Sequence, residues 1–143
     1  MQMKPDLVYS VLCDDVRQEI NGKFIFLGVF QNIWVKGLPA VHHRLCIANS
    51  WYNGIGEFHA RSAVVAPDKK TRVVESVPVK IVLTEENRGS IVVNFFQNIR
   101  FAEEGLYWVE VSLEGTLVTR YPFRVARAPQ RPPSARSASR SAW

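Results

Sequence analysis

The chain has 143 residues and a formal net charge of +5, with 47% hydrophobic and 22% charged residues. That length suits one packed domain and is short for two. The composition excludes a disordered chain, and the absence of any apolar run near the roughly 18 residues of a membrane-crossing helix argues against membrane insertion.

The apolar stretch Leu7 to Leu12 is interrupted by Tyr9 and Ser10 and ends at Asp14 and Asp15, which makes a poor secretory leader; cytoplasmic residence is the expectation. β-Branched and aromatic residues in period-two alternation signal strands from Leu7 onward. Leu7 to Cys13 leads through Asp14 and Asp15 into Val16 to Ile20, and Asn21-Gly22 supplies the positive backbone angles of a hairpin turn. The return strand reads as Lys23 to Val35. Phe24, Phe26 and Phe30 point one way and Ile25, Leu27 and Val29 the other, so it reads as a central or interface strand.

Lys36 to His43, with Gly37 and Pro39, reads as a loop, and Arg44 to Tyr52 as a strand with Leu45, Ile47, Asn49 and Trp51 on one face. Glu57 to Ala66 places Phe58, Ala60, Ser62 and Val64 inward and Glu57, His59 and Arg61 outward. Short strands follow at Arg72 to Glu75 and Val77 to Leu83, where Pro78 marks an edge. Ser90 to Arg100, Val109 to Glu114 and Leu117 to Val125 complete about eight strands, with no helix. Short strands at this spacing predict two packed antiparallel sheets, a β-sandwich of immunoglobulin-like or related Greek-key arrangement. Glu103-Glu104-Gly105-Leu106-Tyr107 has the acid-x-Gly-x-Tyr spacing of a tyrosine corner, which makes Tyr107 a structural residue whose hydroxyl bonds back to the backbone.

From residue 127 the composition turns to Arg, Pro, Ser and Ala, with Trp143 the one large apolar group, so the domain is read as 1–126 and 127–143 as a disordered tail. Four of the 18 basic residues, Arg127, Arg131, Arg136 and Arg140, lie in the tail, which leaves 14 basic against 13 acidic groups in the domain. The basic character therefore belongs largely to the tail, where those arginines are candidates for weak anion or nucleic-acid association.

Asp14, Asp15, Arg17 and Glu19, with Lys23 beyond the turn, form the densest charged cluster. Three carboxylates could contribute to a calcium site, but Arg17 among them favours a structural reading in which the acids pair with Arg17 and Lys23. His42, His43 and His59 lack the spacing of a zinc site. Cys13 and Cys46 sit in apolar strands and read as reduced core thiols. No nucleophile elbow, phosphate loop or dinucleotide fingerprint occurs, so neither catalysis nor a cofactor or metal is expected. Phe24, Phe26, Phe30, Trp34, Trp51, Tyr52 and Trp108 are the candidate partner-binding residues, because large aromatics on otherwise polar faces often mark protein contacts.

Tyr9 to Phe30, with Cys13-Asp14-Asp15-Val16-Arg17-Gln18-Glu19, Gly22-Lys23 and Leu27-Gly28, resembles the opening of a family of small uncharacterised bacterial all-β proteins. Gly105-Leu106-Tyr107 through Glu114-Gly115 to Pro122-Phe123-Arg124-Val125 resembles that family's closing hairpin. The resemblance implies a single bacterial domain and transfers no activity. The leading expectation is a non-enzymatic module that binds a protein partner or itself through the Phe24 to Val35 strand and neighbouring aromatics.

Overall fold

The computed structural model describes residues 1–129. They form ten strands and no helix: β1 (Asp6–Gln18), β2 (Phe24–Val29), β3 (Asn32–Val35), β4 (Ala40–Tyr52), β5 (Gly56–Val65), β6 (Arg72–Glu75), β7 (Val79–Leu83), β8 (Ser90–Phe101), β9 (Gly105–Leu113) and β10 (Thr116–Arg127). One sheet has the order β2-β1-β4-β8; the other has β3-β10-β9-β5-β6, with β7 also paired to β5. The all-β reading holds, with ten strands among the described residues where the sequence suggested about eight.

Alternation builds the core from both sheets. Leu45, Ile47 and Trp51 of β4 face Phe58, Ala60 and Val64 of β5, and all six are buried in one cluster with Phe101, Tyr107, Val109 and Phe123. Within this layer Asn49 Nδ2 donates to Ser62 Oγ at 2.7 Å, tying the sheets together through a buried polar pair. At the rim, Ser10 Oγ of β1 and Tyr121 Oη of β10 share a hydrogen bond of 2.8 Å.

The predicted Lys23 to Val35 strand is two strands in two sheets. Phe30 N–H still donates to Leu12 O of the first sheet, whereas Gln31 O accepts from Arg124 N–H of the second. The chain changes sheets within two residues, and β3 then runs parallel to β10. Nor is β2 central: among the described residues it pairs only with β1 and ends its sheet. Its two-sided apolarity has another cause. Phe26 pairs with Val16, yet its ring lies 6.0 Å from that of Tyr9, although a straight strand would separate residues 9 and 16 by about 23 Å. β1 therefore doubles back after Cys13, and the β1–β2 hairpin lies over the outer surface of its own sheet. That cover accounts for Cys46 and Ala48, which alternate with the core-facing residues of β4 and yet are fully buried.

The expected Lys36 to His43 loop is also shorter, because β4 already begins at Ala40 and pairs with the end of β8 through Ala40↔Phe101 and His42↔Ile99. His42 and His43 are strand residues. Asn98, at φ 53, marks where β8 changes face: Val92, Asn94 and Phe96 are buried before it, Ile99 and Phe101 after it. Arg127, read from composition as the first tail residue, is the last residue of β10; its pairing with Val35 uses backbone and is indifferent to the side chain. The tail candidates Arg131, Arg136 and Arg140 lie outside the described residues.

Candidate functional site

The first hairpin is held by one carboxylate. Asp15 Oδ1 accepts from Val16 N–H at 2.9 Å and from the Arg44 guanidinium of β4 at 2.8 Å, and its Oδ2 accepts from Arg17 Nε at 3.0 Å. The bond from Arg17 first, then the amide and Arg44, holds the Asp15 carboxyl below the usual range. Arg44 in turn lies over the Phe95 ring at 4.9 Å. Nothing local in the sequence links residues 15 and 44; their proximity follows from the β1–β4 register, which sets Cys13 against Cys46.

The rest of the acidic cluster is dispersed. The Asp14 side chain lies over Gly28, where an added Cβ would fall inside contact distance of Asp14 Oδ2. Glu19 closes the turn through its backbone, with its N–H donating to Lys23 O and its carbonyl accepting from Gly22. Lys23 makes no ion pair among the described residues, contrary to the expected pairing. No three His, Cys, Asp or Glu side chains among the described residues converge as metal ligands. With the Asp15 oxygens already committed to two guanidinium groups, the calcium alternative has no geometry behind it.

The aromatic candidates separate into five settings. Trp51 is 1% exposed in the core, so it is not a partner contact: its register beside Leu45 and Ile47 faces it inward. Phe24 and Phe26 are half-buried beneath the folded hairpin, Phe24 beside Ser50, Tyr52 and Ile91 in a cleft of about 320 Å³. Phe30 is half-buried and packs against the core, its ring 6.2 Å from that of His42. Tyr52 is exposed and lies against Gly89. On the other sheet, Trp34 is 56% exposed with the Arg124 guanidinium 5.9 Å from its ring, and half-buried Trp108 carries the Lys69 ammonium 4.5 Å from its ring.

The sequence did not single out the outward side of β2 as a site. Ile25, Leu27 and Val29 are 42%, 39% and 64% exposed, and they line an edge that has no partner strand on its far side among the described residues. Their alternation was legible; their exposure depended on β2 being terminal. Beside them, Ser10, Leu12, Val29, Phe30, Tyr121 and Pro122 line a cleft of about 530 Å³ between the sheets.

Tyr107 sits at the entry to β9, where its hydroxyl donates to Glu103 O at 2.8 Å. Burial pushes its phenol above the ordinary value. Cys13 and Cys46 are unbridged and buried opposite each other, and burial pushes the Cys13 thiol up to about 11.

These features describe an all-β protein with two sheets on one core, an unprotected apolar edge and a folded-over first hairpin. The chain belongs to a family of unknown function, DUF6941, which matches residues 8–126. No curated protein matches it. Among solved structures it is similar to the alkylpurine DNA glycosylase AlkC of Pseudomonas fluorescens, bound to DNA containing an abasic site analog, at 9% identity and a TM-score of 0.54. The match covers 87% of this chain and 31% of that one, so the chain spans about a third of the glycosylase. At that identity the likeness concerns the fold alone.

Proposed function

We propose that this protein is a non-enzymatic interaction module that binds an extended segment of a protein partner, or of a second copy, along the free edge of β2. The observation that carries this reading is the edge itself. Phe24–Val29 has the sequence FIFLGV, without a charge or a proline, whereas soluble proteins ordinarily blunt such edges with lysine, proline or a covering loop. An added strand would satisfy the outward N–H and C=O groups of β2 and cover Ile25, Leu27 and Val29 together.

The non-enzymatic part rests on what the polar candidates already do. Asp15 is saturated, His59 lies 3.5 Å from Glu114, and both thiols are buried with raised pKa values. We further read the two sheets as a β-sandwich of immunoglobulin-like type, which the Tyr107 corner and the shared core support. In this reading the protein is cytoplasmic, and the basic C-terminal segment is an accessory to the domain.

The test is light scattering of the full chain over a broad concentration range, with affinity capture by wild type, Leu27→Lys and, as a control at an exposed position of β7 in the other sheet, Val82→Lys. Loss of self-association or of a captured partner in Leu27→Lys, with Val82→Lys unaffected, is the expected result. A strict monomer with identical capture by all three would overturn the proposal.

A further inference from the structure

The outer face of the six-stranded sheet has a different chemistry from the β2 edge. Alternation and register set Trp34, Arg124, Pro122, Arg120, Trp108 and Leu106 on this face: Arg124 lies opposite Leu106, Pro122 opposite Trp108 and Arg120 opposite Glu110, while Trp34 is aligned with Ala126. Trp34 and Trp108 are two strands and roughly four residues apart, or about 16 Å, with Arg124 between them.

Two glutamates of the face, Glu110 and Glu75, are paired with arginines. Arg120 contacts Glu110 Oε2 through Nε at 2.9 Å and through its terminal nitrogen at 2.7 Å, and Arg72 approaches Glu110 at 3.6 Å. Glu75 lies 3.6 Å from Arg61 and 3.3 Å from Arg72. At the rim, Asp68 accepts from Thr71 and the Lys70 N–H and Glu104 from the Arg127 N–H, neutral donors that leave both carboxylates charged. Arg124, Lys69 and Lys36, by contrast, make no ion pair among the described residues, and two of these three sit over tryptophan rings.

The chain also leaves the domain here. Ala128 N–H donates to Val35 O, one residue from Trp34. The 15 residues that follow, to Trp143, contain Arg131, Arg136 and Arg140 and no acid.

From this juxtaposition we infer that the outer face of the six-stranded sheet binds single-stranded nucleic acid, with bases stacked on Trp34 and Trp108 and phosphates held by Arg124, Lys69 and Lys36. One exposed and one half-buried ring interleaved with unpaired cations match a ligand that alternates flat π-faces and negative charges. A base arriving at either ring displaces the cation above it, and that cation moves to the adjoining phosphate. A duplex fits less well, because its bases are already stacked and a sheet face offers no helix or ribbon to enter a groove. The inference is independent of the β2 reading: it uses another sheet and another partner.

The test is fluorescence anisotropy with a labelled single strand of about 12 nucleotides and the matching duplex, at about 50 and 200 mM salt. The full chain is compared with Trp34→Ala, Arg124→Glu and the triple variant Arg131→Ala/Arg136→Ala/Arg140→Ala, with unchanged thermal melting confirming that each is folded. Trp34→Ala should weaken single-strand binding roughly 10-fold, and Arg124→Glu should weaken it at least as much while lowering the salt slope by about 1. The triple variant should bind less tightly but keep its dependence on Trp34. Duplex binding as tight as single-strand binding, no binding, indifference to Trp34→Ala, or complete loss in the triple variant each overturns the inference.

Discussion

Replacing Gly28 with alanine tests the geometry of the first hairpin at its tightest point. Gly28 has φ +66, so any side chain there pays for a left-handed backbone, about 1 kcal/mol. The new Cβ would also stand against Asp14 Oδ2 and 2.8 Å from its Cγ, well inside contact distance. Because the Asp14 side chain is exposed and can rotate, this clash should add about 1 kcal/mol rather than prevent folding. Gly22 is the control: its φ is +91, but nothing lies within 4 Å of an added Cβ, so Gly22→Ala should cost only the backbone part. Urea unfolding followed by tryptophan fluorescence should therefore give about 2 kcal/mol for Gly28→Ala against about 1 for Gly22→Ala. In Asp14→Ala/Gly28→Ala the excess should disappear, leaving a coupling of about 1 kcal/mol. Equal losses for the two glycine variants, or no coupling in the cycle, would refute the packing of Asp14 across the hairpin.

Tyr107→Phe removes the hydroxyl that donates to Glu103 O and should cost about 1 kcal/mol in the same unfolding assay, while leaving the apolar ring packing in place. Tyr121 is shifted up to about 12, chiefly by burial. Its neutral form is favoured in the folded state, so its contribution is intact below the unfolded pKa near 10 and is lost as pH rises toward 12. The loss reaches about 2 to 3 kcal/mol, and ultraviolet titration should show one tyrosine ionising late, together with unfolding. Asp15 titrates below its ordinary value, so its contribution is present above about pH 4 and is lost as pH falls further. Asp15→Asn should lower stability at neutral pH and flatten the acid limb of the stability curve, as followed by circular dichroism.

Much of the fold was legible from local pattern. The alternations Leu45/Ile47/Asn49/Trp51 and Phe58/Ala60/Ser62/Val64 name the facing layers of the core correctly, because a buried face must be apolar at every second residue. The closing hairpin around Gly115 is likewise a local matter, as this glycine takes φ +77. The interaction surfaces were harder to see. Phe24 and Phe26 stand out in the sequence by their bulk and lie half-buried under the hairpin; Trp51 stands out on the same ground and lies in the core. Bulk attracts attention in a sequence, whereas exposure is settled by which strand happens to be last in a sheet.

The sequence by itself determined that the chain makes strands, where most of them turn, which face of each long strand is apolar, and that its excess positive charge gathers toward the C-terminus. These are properties of neighbouring residues, set by side-chain period, glycine and proline. Only the tertiary structure decided that the Lys23 to Val35 stretch divides between two sheets, that β1 doubles back to bury Cys46 and Ala48, that Arg44 reaches Asp15, and that Arg124 meets Trp34. Each of those depends on a register between segments far apart in the chain. A shift of one residue would turn every side chain to the opposite face, and no local pattern carries that choice.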